Sequence, residues 1–211
     1  FLNKAGAKRY ISKPTVIVAV PPVVTSVEQR AIKDAAYGAG ARKVYVIEEP
    51  MAAAIGSGLP VQEPLGSMIV DIGGGTSDIA VISLGGVVSS RSLRVGGDAM
   101  DNSIVNYIKN KYHVLIGERT AEELKMSIGS AFATHEDGHA LIRGRDLRSG
   151  LPTEITVSSE EIRNAIEEQI SRIIEAIKST LDLTPPDLVA DLVTTGMTLA
   201  GGGAMIKGLV Q

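Results

Sequence analysis

Asp71-Ile-Gly-Gly-Gly-Thr76 puts a carboxylate, three successive glycines and a hydroxyl into one short turn. That set suits a hydrated Mg²⁺ beside a phosphate. A carboxylate at a strand end can hold the ion through its waters. Glycines let the backbone approach closely, so that successive N–H groups converge on phosphate oxygens. A second triplet, Gly201-Gly-Gly203, follows the apolar segment Met197-Thr-Leu-Ala200 and precedes Ala204-Met205. A turn of this kind can let a nucleoside lie flat on the backbone, with a helix start facing a phosphate. Either triplet alone could be a plain turn; their pairing favours the phosphate reading. No G-x-x-x-x-G-K-[ST] occurs, and the first triplet leads into a strand, so neither a Walker loop nor a dinucleotide fingerprint is present.

Other groups could assist. Glu48 and Glu49 end a strand and start a helix, where carboxylates stabilise the helix dipole. Beside a phosphate, one of them could instead orient or polarise a water. Glu122 and Lys125 are spaced i, i+3 and share a helix face, as a surface ion pair or as a grip on a ribose or adenine edge. His113, His135 and His139 have no metal-ligand spacing. Arg143, Arg145 and Arg148 read as a solvated hairpin tip. With two Phe, no Trp and a net charge of −3, nucleic acid is not an expected partner.

The elements that must position these residues follow from periodicity. Thr15 to Val20 reads as a buried strand. Ser26-Val-Glu-Gln29 reads as a capping box opening a helix to about Gly38. Val44 to Ile47 is the next strand, and Pro50 starts a helix to about Gly56. Met68 to about Val95 predicts three strands with glycine turns at 73–75 and 85–86. Gly96-Gly-Asp98 starts a helix whose Met100, Ile104 and Ile108 form a core stripe. Thr120-Ala-Glu-Glu123 reads as a second capping box, for a helix to about Ile128, and 139–157 as a hairpin with the tip Arg143–Gly150. Ser158-Ser-Glu-Glu161 begins the longest helix, with Ile162, Ile166, Ile170, Ile173, Ile174, Ile177 and Leu181 on its packing side. Thr184-Pro-Pro-Asp187 caps another helix, and Ala204 to Leu209 reads as helical. Strands and helices alternate over the first sixty residues, so the fold class is α/β.

Composition narrows the setting. With 211 residues and 44% hydrophobic content, the chain can bury a sizeable core. The absence of cysteine rules out thiol chemistry and is compatible with a reducing cytoplasm. The longest apolar run, Val16 to Val24, is too short to span a bilayer. The chain opens on Phe1 rather than Met, as a piece of a longer protein would.

Asp71-Ile-Gly-Gly-Gly-Thr76 and Leu199-Ala-Gly-Gly-Gly203 resemble the second phosphate motif and the adenosine motif of the actin/Hsp70/sugar-kinase superfamily. Ile47-Glu-Glu-Pro-Met-Ala-Ala-Ala-Ile-Gly56, Gly117-Glu-Arg-Thr-Ala-Glu122 and Thr184-Pro-Pro-Asp-Leu-Val-Ala-Asp191 resemble the MreB family of bacterial actin homologues. The resemblance implies an actin-like ATPase fold, ribonuclease H-like at its core, with one nearly complete half and part of the other. It implies residues 1–50 as a partial first large subdomain, 51–97 with 159–211 as the second, and 98–158 as a small insertion. The superfamily's first phosphate motif has no counterpart in this sequence.

The resemblance also implies ATP and Mg²⁺ as cofactors. Gly73, Gly74, Gly75 and Thr76 would bind the β- and γ-phosphates, and Asp71 would hold Mg²⁺ through water. Glu49 would position the attacking water, with Glu48 as the fallback. Glu122, Glu123, Leu124 and Lys125 would contact the adenosine from one side, and Gly201, Gly202, Gly203, Ala204 and Met205 from the other. The implied function is a slow, polymerisation-coupled ATPase that forms head-to-tail filaments and maintains rod shape by organising wall synthesis. The implied location is the cytoplasmic face of the cell membrane, with RodZ, MreC and MreD as partners. A small-molecule kinase or an Hsp70-type chaperone domain would share this core. No substrate pocket or acceptor base is legible for the first; the second expects a long peptide-binding region after the adenosine motif, where this sequence stops.

Overall fold

A computed structural model describes residues 13–22, 24–133 and 138–210. His135, one of the histidines without an assigned role, lies outside them. β1 (Thr15–Val20) runs through α1 (Ser26–Gly38) to β2 (Lys43–Glu48), which pairs with it in parallel over its whole length. The capping box of α1 is Thr25 with Glu28, one residue before the expected Ser26 with Gln29. Both pairs fit the pattern, and an ionised Glu accepts the cap N–H more strongly than a Gln amide does. α2 (Glu49–Gly56) leaves β2 directly, with Pro50 in its first turn.

β3 (Ser67–Ile72), β4 (Ser77–Ser83) and β5 (Gly86–Leu93) form an antiparallel meander, as expected. α3 (Gly97–Tyr112) follows, then a two-residue strand missed in the sequence, β6 (Val114–Leu115). α4 (Glu118–Ile128) begins two residues before Thr120; Gly117 is its N-cap, and no side chain caps it. The hairpin is β7 (His139–Asp146) and β8 (Pro152–Ser158). Its turn lies after Asp146, so Arg143 and Arg145 belong to β7, and Arg143 is ion-paired with Glu154 directly across the ladder.

α5 (Ser159–Asp182) carries the expected Ser158/Glu161 capping box. Of its stripe, Ile162, Ile166, Ile170 and Ile173 are buried, whereas Ile174 is 43% exposed because it has rotated past the packing face. α6 (Pro186–Thr195) has no side-chain cap; the Thr184 hydroxyl turns inward to the Thr180 carbonyl and Ser89. β9 (Met197–Ala200) ends at the second glycine triplet, and Gly202–Met205 is a short 3-10 turn rather than a helix running to Leu209.

The central sheet has the order β5-β4-β3-β9, with β9 parallel to β3. Side chains alternate across it. Met68, Val70, Ile72, Ile79 and Val81 join Ile104, Ile108, Ile162 and Ile166 in the larger core, which lies under α3 and α5. Ile69, Ala80 and Ile82 face the other way and pack with Ala54 of α2 and with Val61.

Candidate functional site

The same alternation assigns Asp71 and Asp78. Asp71 shares a face with Ile69 and Asp78 with Ala80, and the β3–β4 register sets the two aspartates directly opposite each other. Both therefore lie on the α2 side of the sheet, where Glu49 opens α2. The Gly73 N–H donates to the Thr76 carbonyl (2.8 Å) and closes the hairpin tip. The Thr76 hydroxyl donates to Asp78 Oδ2 (3.0 Å), while Asp78 Oδ1 is buried with no hydrogen-bond partner among the described residues. Asp78 is only 4% exposed. Burial, then the Asp78 charge, raises the pKa of Asp71; burial, then Asp78 and Asp71, raises that of Glu49. Like charges directly across a ladder destabilise a sheet, so these acids carry a mutual repulsion that the sheet itself does not relieve. Among the described residues no three acidic or histidine side chains converge closely enough to ligate one ion directly.

The hairpin tip is also a docking surface. The Gly97 N–H donates to the Gly73 carbonyl and the Asp98 N–H to the Gly74 carbonyl, both at 2.9 Å. A Cβ on Gly96 would stand 2.5 Å from the Gly74 oxygen, so only glycine allows α3 to start this close. Gly201 has φ +84, and a Cβ there would collide with the Ile72 carbonyl and the Asp71 carboxylate. The two triplets are thus neighbours in space: the second sits against the strand that ends in the first.

Between them opens a cleft of about 380 Å³. One wall is Gly73, Gly74 and the start of α3 with Asp98 and Asp101; another is Glu122 and Lys125 of α4; the third is Gly202, Gly203, Met205 and Lys207. Gly129 also lines it, next to the Ser130–Lys207 backbone bridge. Gly75, Thr76, Asp71, Glu49, Gly201 and Ala204 do not line this cavity; Ala204 packs against the larger core. Glu123 and Leu124 do not face the cleft. Glu123 pairs with Arg119 one helical turn away, Leu124 is a core residue, and both border a separate 470 Å³ groove between α4 and β7. The i, i+3 spacing places Glu122 and Lys125 on the cleft side and turns the two residues between them away.

Glu122 and Lys125 do not pair with each other. The Lys125 ammonium is bound to Asp101 and to the Gly97 carbonyl. Sequence reading missed Asp78, Asp98, Asp101 and Lys207. Asp78 was within reach: counting outward through the closed turn puts it opposite Asp71 and on the same face. Asp98 marks only a helix start in the sequence, and nothing local singles out Asp101.

The sequence matches the MreB/Mbl protein family over residues 1–211. It is 48% identical over 211 residues to the cell shape-determining protein Mbl of Bacillus subtilis (strain 168), covering 100% of this chain and 63% of that protein. It is 52% identical over 196 residues to the cell shape-determining protein MreB of Escherichia coli (strain K12), covering 93% of this chain and 56% of that protein. The chain therefore spans roughly three fifths of the length of the relatives it matches. In structure it is similar to MreB5 of Spiroplasma citri bound to AMPPNP (TM-score 0.88, 44% identity, 92% of this chain and 58% of that one). It is similar also to the same protein bound to ADP (TM-score 0.92, 41% identity, 97% and 62%). The α/β fold is thus the actin-like one expected from the motifs, and no helix among the described residues is long and apolar enough to cross a membrane. With both glycine turns, the docked start of α3 and the whole-length match in agreement, the chain belongs to the MreB/Mbl family.

Proposed function

We propose that this chain is the larger part of an ATP-binding, filament-forming cytoskeletal protein that maintains rod shape by organising cell-wall synthesis. The observation that carries this reading is the convergence of both glycine turns, the start of α3 and the Glu122/Lys125 face on one cleft, with the acidic face of the sheet beside it. The residues present fit a magnesium nucleotide. The unpartnered Asp78 Oδ1 and the raised carboxyls of Asp71 and Glu49 call for positive charge, and Gly75 and Gly202, with open space where a Cβ would stand, leave bare backbone for phosphate oxygens.

In this reading Gly73 to Thr76 hold the β- and γ-phosphates and Asp71 holds Mg²⁺ through water, with Asp78 as a second acceptor for that water shell. Glu122 faces the nucleoside on one side, with Lys125 beside it bound to Asp101 and the Gly97 carbonyl, and Gly202, Gly203 and Met205 lie on the other. Bound MgATP supplies a terminal phosphoryl group as electrophile. Glu49 holds and polarises the water; its electrostatic link to Asp71 and Asp78 favours it over Glu48. Residues 1–50, 51–97 with 159–211, and 98–158 are the three units that would move around the nucleotide. Self-association head to tail, docking at the inner membrane face, and contact with RodZ, MreC and MreD belong to the intact protein. The kinase and chaperone alternatives draw no support from any feature of the cleft.

The test is nucleotide titration of the intact protein with and without Mg²⁺, followed by sedimentation at rising concentration. Micromolar magnesium-dependent binding and pelleting with ATP are expected. Absent binding at millimolar nucleotide, or persistent monomer at high concentration with ATP, would overturn the proposal.

A further inference from the structure

Lys125 is 9% exposed, and three oxygens surround its ammonium: the Gly97 carbonyl at 3.0 Å, Asp101 Oδ1 at 2.8 Å and Asp101 Oδ2 at 2.9 Å. Both sources lie on the first turns of α3, so a side chain of α4 is tied across the cleft to the helix that docks on the phosphate hairpin. A buried lysine needs such partners, because an unpaired buried ammonium is costly. Glu122 lies one turn back on α4, exposed at the same cleft, and makes no hydrogen bond or ion pair among the described residues. Its natural partner by spacing is Lys125, three residues on along one helix face. Glu122 is close enough for its charge to act on Asp101, so the two carboxylates compete for one ammonium, and Asp101 has it.

We propose that Asp101 is a positioning residue for the nucleoside end of the cleft. By holding Lys125 on α3 it keeps the Glu122 carboxylate unpaired, as an acceptor for the vicinal hydroxyls of a ribose. Carboxylates accept hydroxyl hydrogen bonds strongly when no cation occupies them. When Asp101 loses its charge, Lys125 turns to Glu122, and the acceptor is neutralised although no residue facing the ribose has changed. This inference rests on the nucleotide reading above and adds to it a cause for sugar selectivity.

The experiment compares affinities of the intact protein for ADP and for 2′,3′-dideoxy-ADP. The wild type should prefer ADP by about tenfold, the worth of a hydrogen bond to a charged group. Glu122→Ala should bring the ratio to within about twofold, the remainder being shape alone. Asp101→Asn should do the same without touching Glu122. Asp101→Asn combined with Lys125→Met should restore the preference, because no ammonium is left to occupy Glu122. A merely structural role for Asp101 would weaken both ligands equally and would not be reversed by removing Lys125. Should Asp101→Asn fail to fold, Asp101→Ser, which leaves room for a water beside Lys125, makes the same comparison. A preference that survives in the Asp101 variant, or that Lys125→Met does not restore, overturns the proposal while leaving the nucleotide reading intact. A wild type that binds neither nucleotide sinks the nucleotide reading itself.

Discussion

Replacing Asp78 with Asn should make the ligand-free protein more stable and its magnesium-nucleotide complex relatively weaker. Asn keeps the volume and can still accept from the Thr76 hydroxyl, so the change removes charge and little else. Asp78 lies directly across the ladder from Asp71 and acts on Glu49 as well. At a cross-strand separation of about 5 Å and an effective dielectric of about 20, one such repulsion is about 3 kcal/mol. Asp71 and Glu49 are only partly buried, and solvent screening brings the net gain to about 1–2 kcal/mol. For a domain of this size that is a rise in melting temperature of about 3–6 °C. The sign of the pH dependence follows from the same charges. Asp71 and Glu49 have raised pKa values when folded and bind protons more readily there than in the unfolded chain. Ligand-free stability therefore falls as pH climbs from ordinary carboxylate values, near 4, through the raised values, and levels off above them. Asp78→Asn should flatten that decline. Melting curves in EDTA at pH 5 and pH 7, repeated with saturating MgADP, read all three effects. An unchanged or lower melting temperature without ligand, together with an undiminished shift on adding MgADP, would refute the reasoning.

Gly96→Ala should cost about 1–3 kcal/mol and abolish nucleotide binding, because the added methyl forces α3 off the Gly73 and Gly74 carbonyls; urea unfolding alongside nucleotide titration checks it, and a change under about 0.5 kcal/mol would show that α3 does not need this approach. Burial would raise Glu161, but hydrogen bonds from Lys111, Tyr112 and the Ser158 cap win and hold it at about 2. Its stabilisation is complete above the ordinary glutamate value of 4.5 and is lost as pH falls from there towards about 2. Glu161→Gln should cost about 1–2 kcal/mol at pH 7 and flatten the acid limb of a denaturation profile. Ile166→Ala, in the core between α5 and the sheet, should cost about 2–5 kcal/mol in urea unfolding with nucleotide affinity per folded molecule unchanged.

The sequence made the central meander and the two glycine turns legible because short apolar runs bounded by glycine leave few alternatives. Boundaries failed where two local solutions compete. Thr25 and Ser26 both begin an S/T-x-x-E/Q pattern, and only the strength of the acceptor separates them. Thr120 and Thr184 look like caps, but the first sits inside a helix begun at Gly117 and the second is drawn to a buried hydroxyl pair with Ser89. Around the cleft, features set by backbone shape are legible in the sequence and features set by partnership are not. The Lys125–Asp101 pair spans two helices with no shared local pattern, and the helical stripe that flagged Lys125 suggested Glu122 as its partner. Asp78 was hidden in plain alternation, because its meaning depends on the register of the hairpin rather than on its neighbours.

The two faces of the sheet divide labour, and that division can be measured. The α3/α5 face holds the large aliphatic core, whereas the α2 face holds a small cluster and the three acids. A ligand at one hundred times its dissociation constant stabilises the folded state by about 2.7 kcal/mol, more than the ~1–2 kcal/mol that repulsion costs this face. The relief acts at Glu49, and Glu49 follows β2 without an intervening loop. Relief should therefore reach β2 and its parallel partner β1 before it reaches α5. Hydrogen exchange should slow on adding MgADP at the amides of α2 and the end of β2, by about tenfold for ~1.4 kcal/mol of local stabilisation, while those of α5 change little. Ligand-free Asp78→Asn should already show part of that slowing. Protection that rises equally on both faces, or only at α5, would mean that the acids do not couple the cleft to β2.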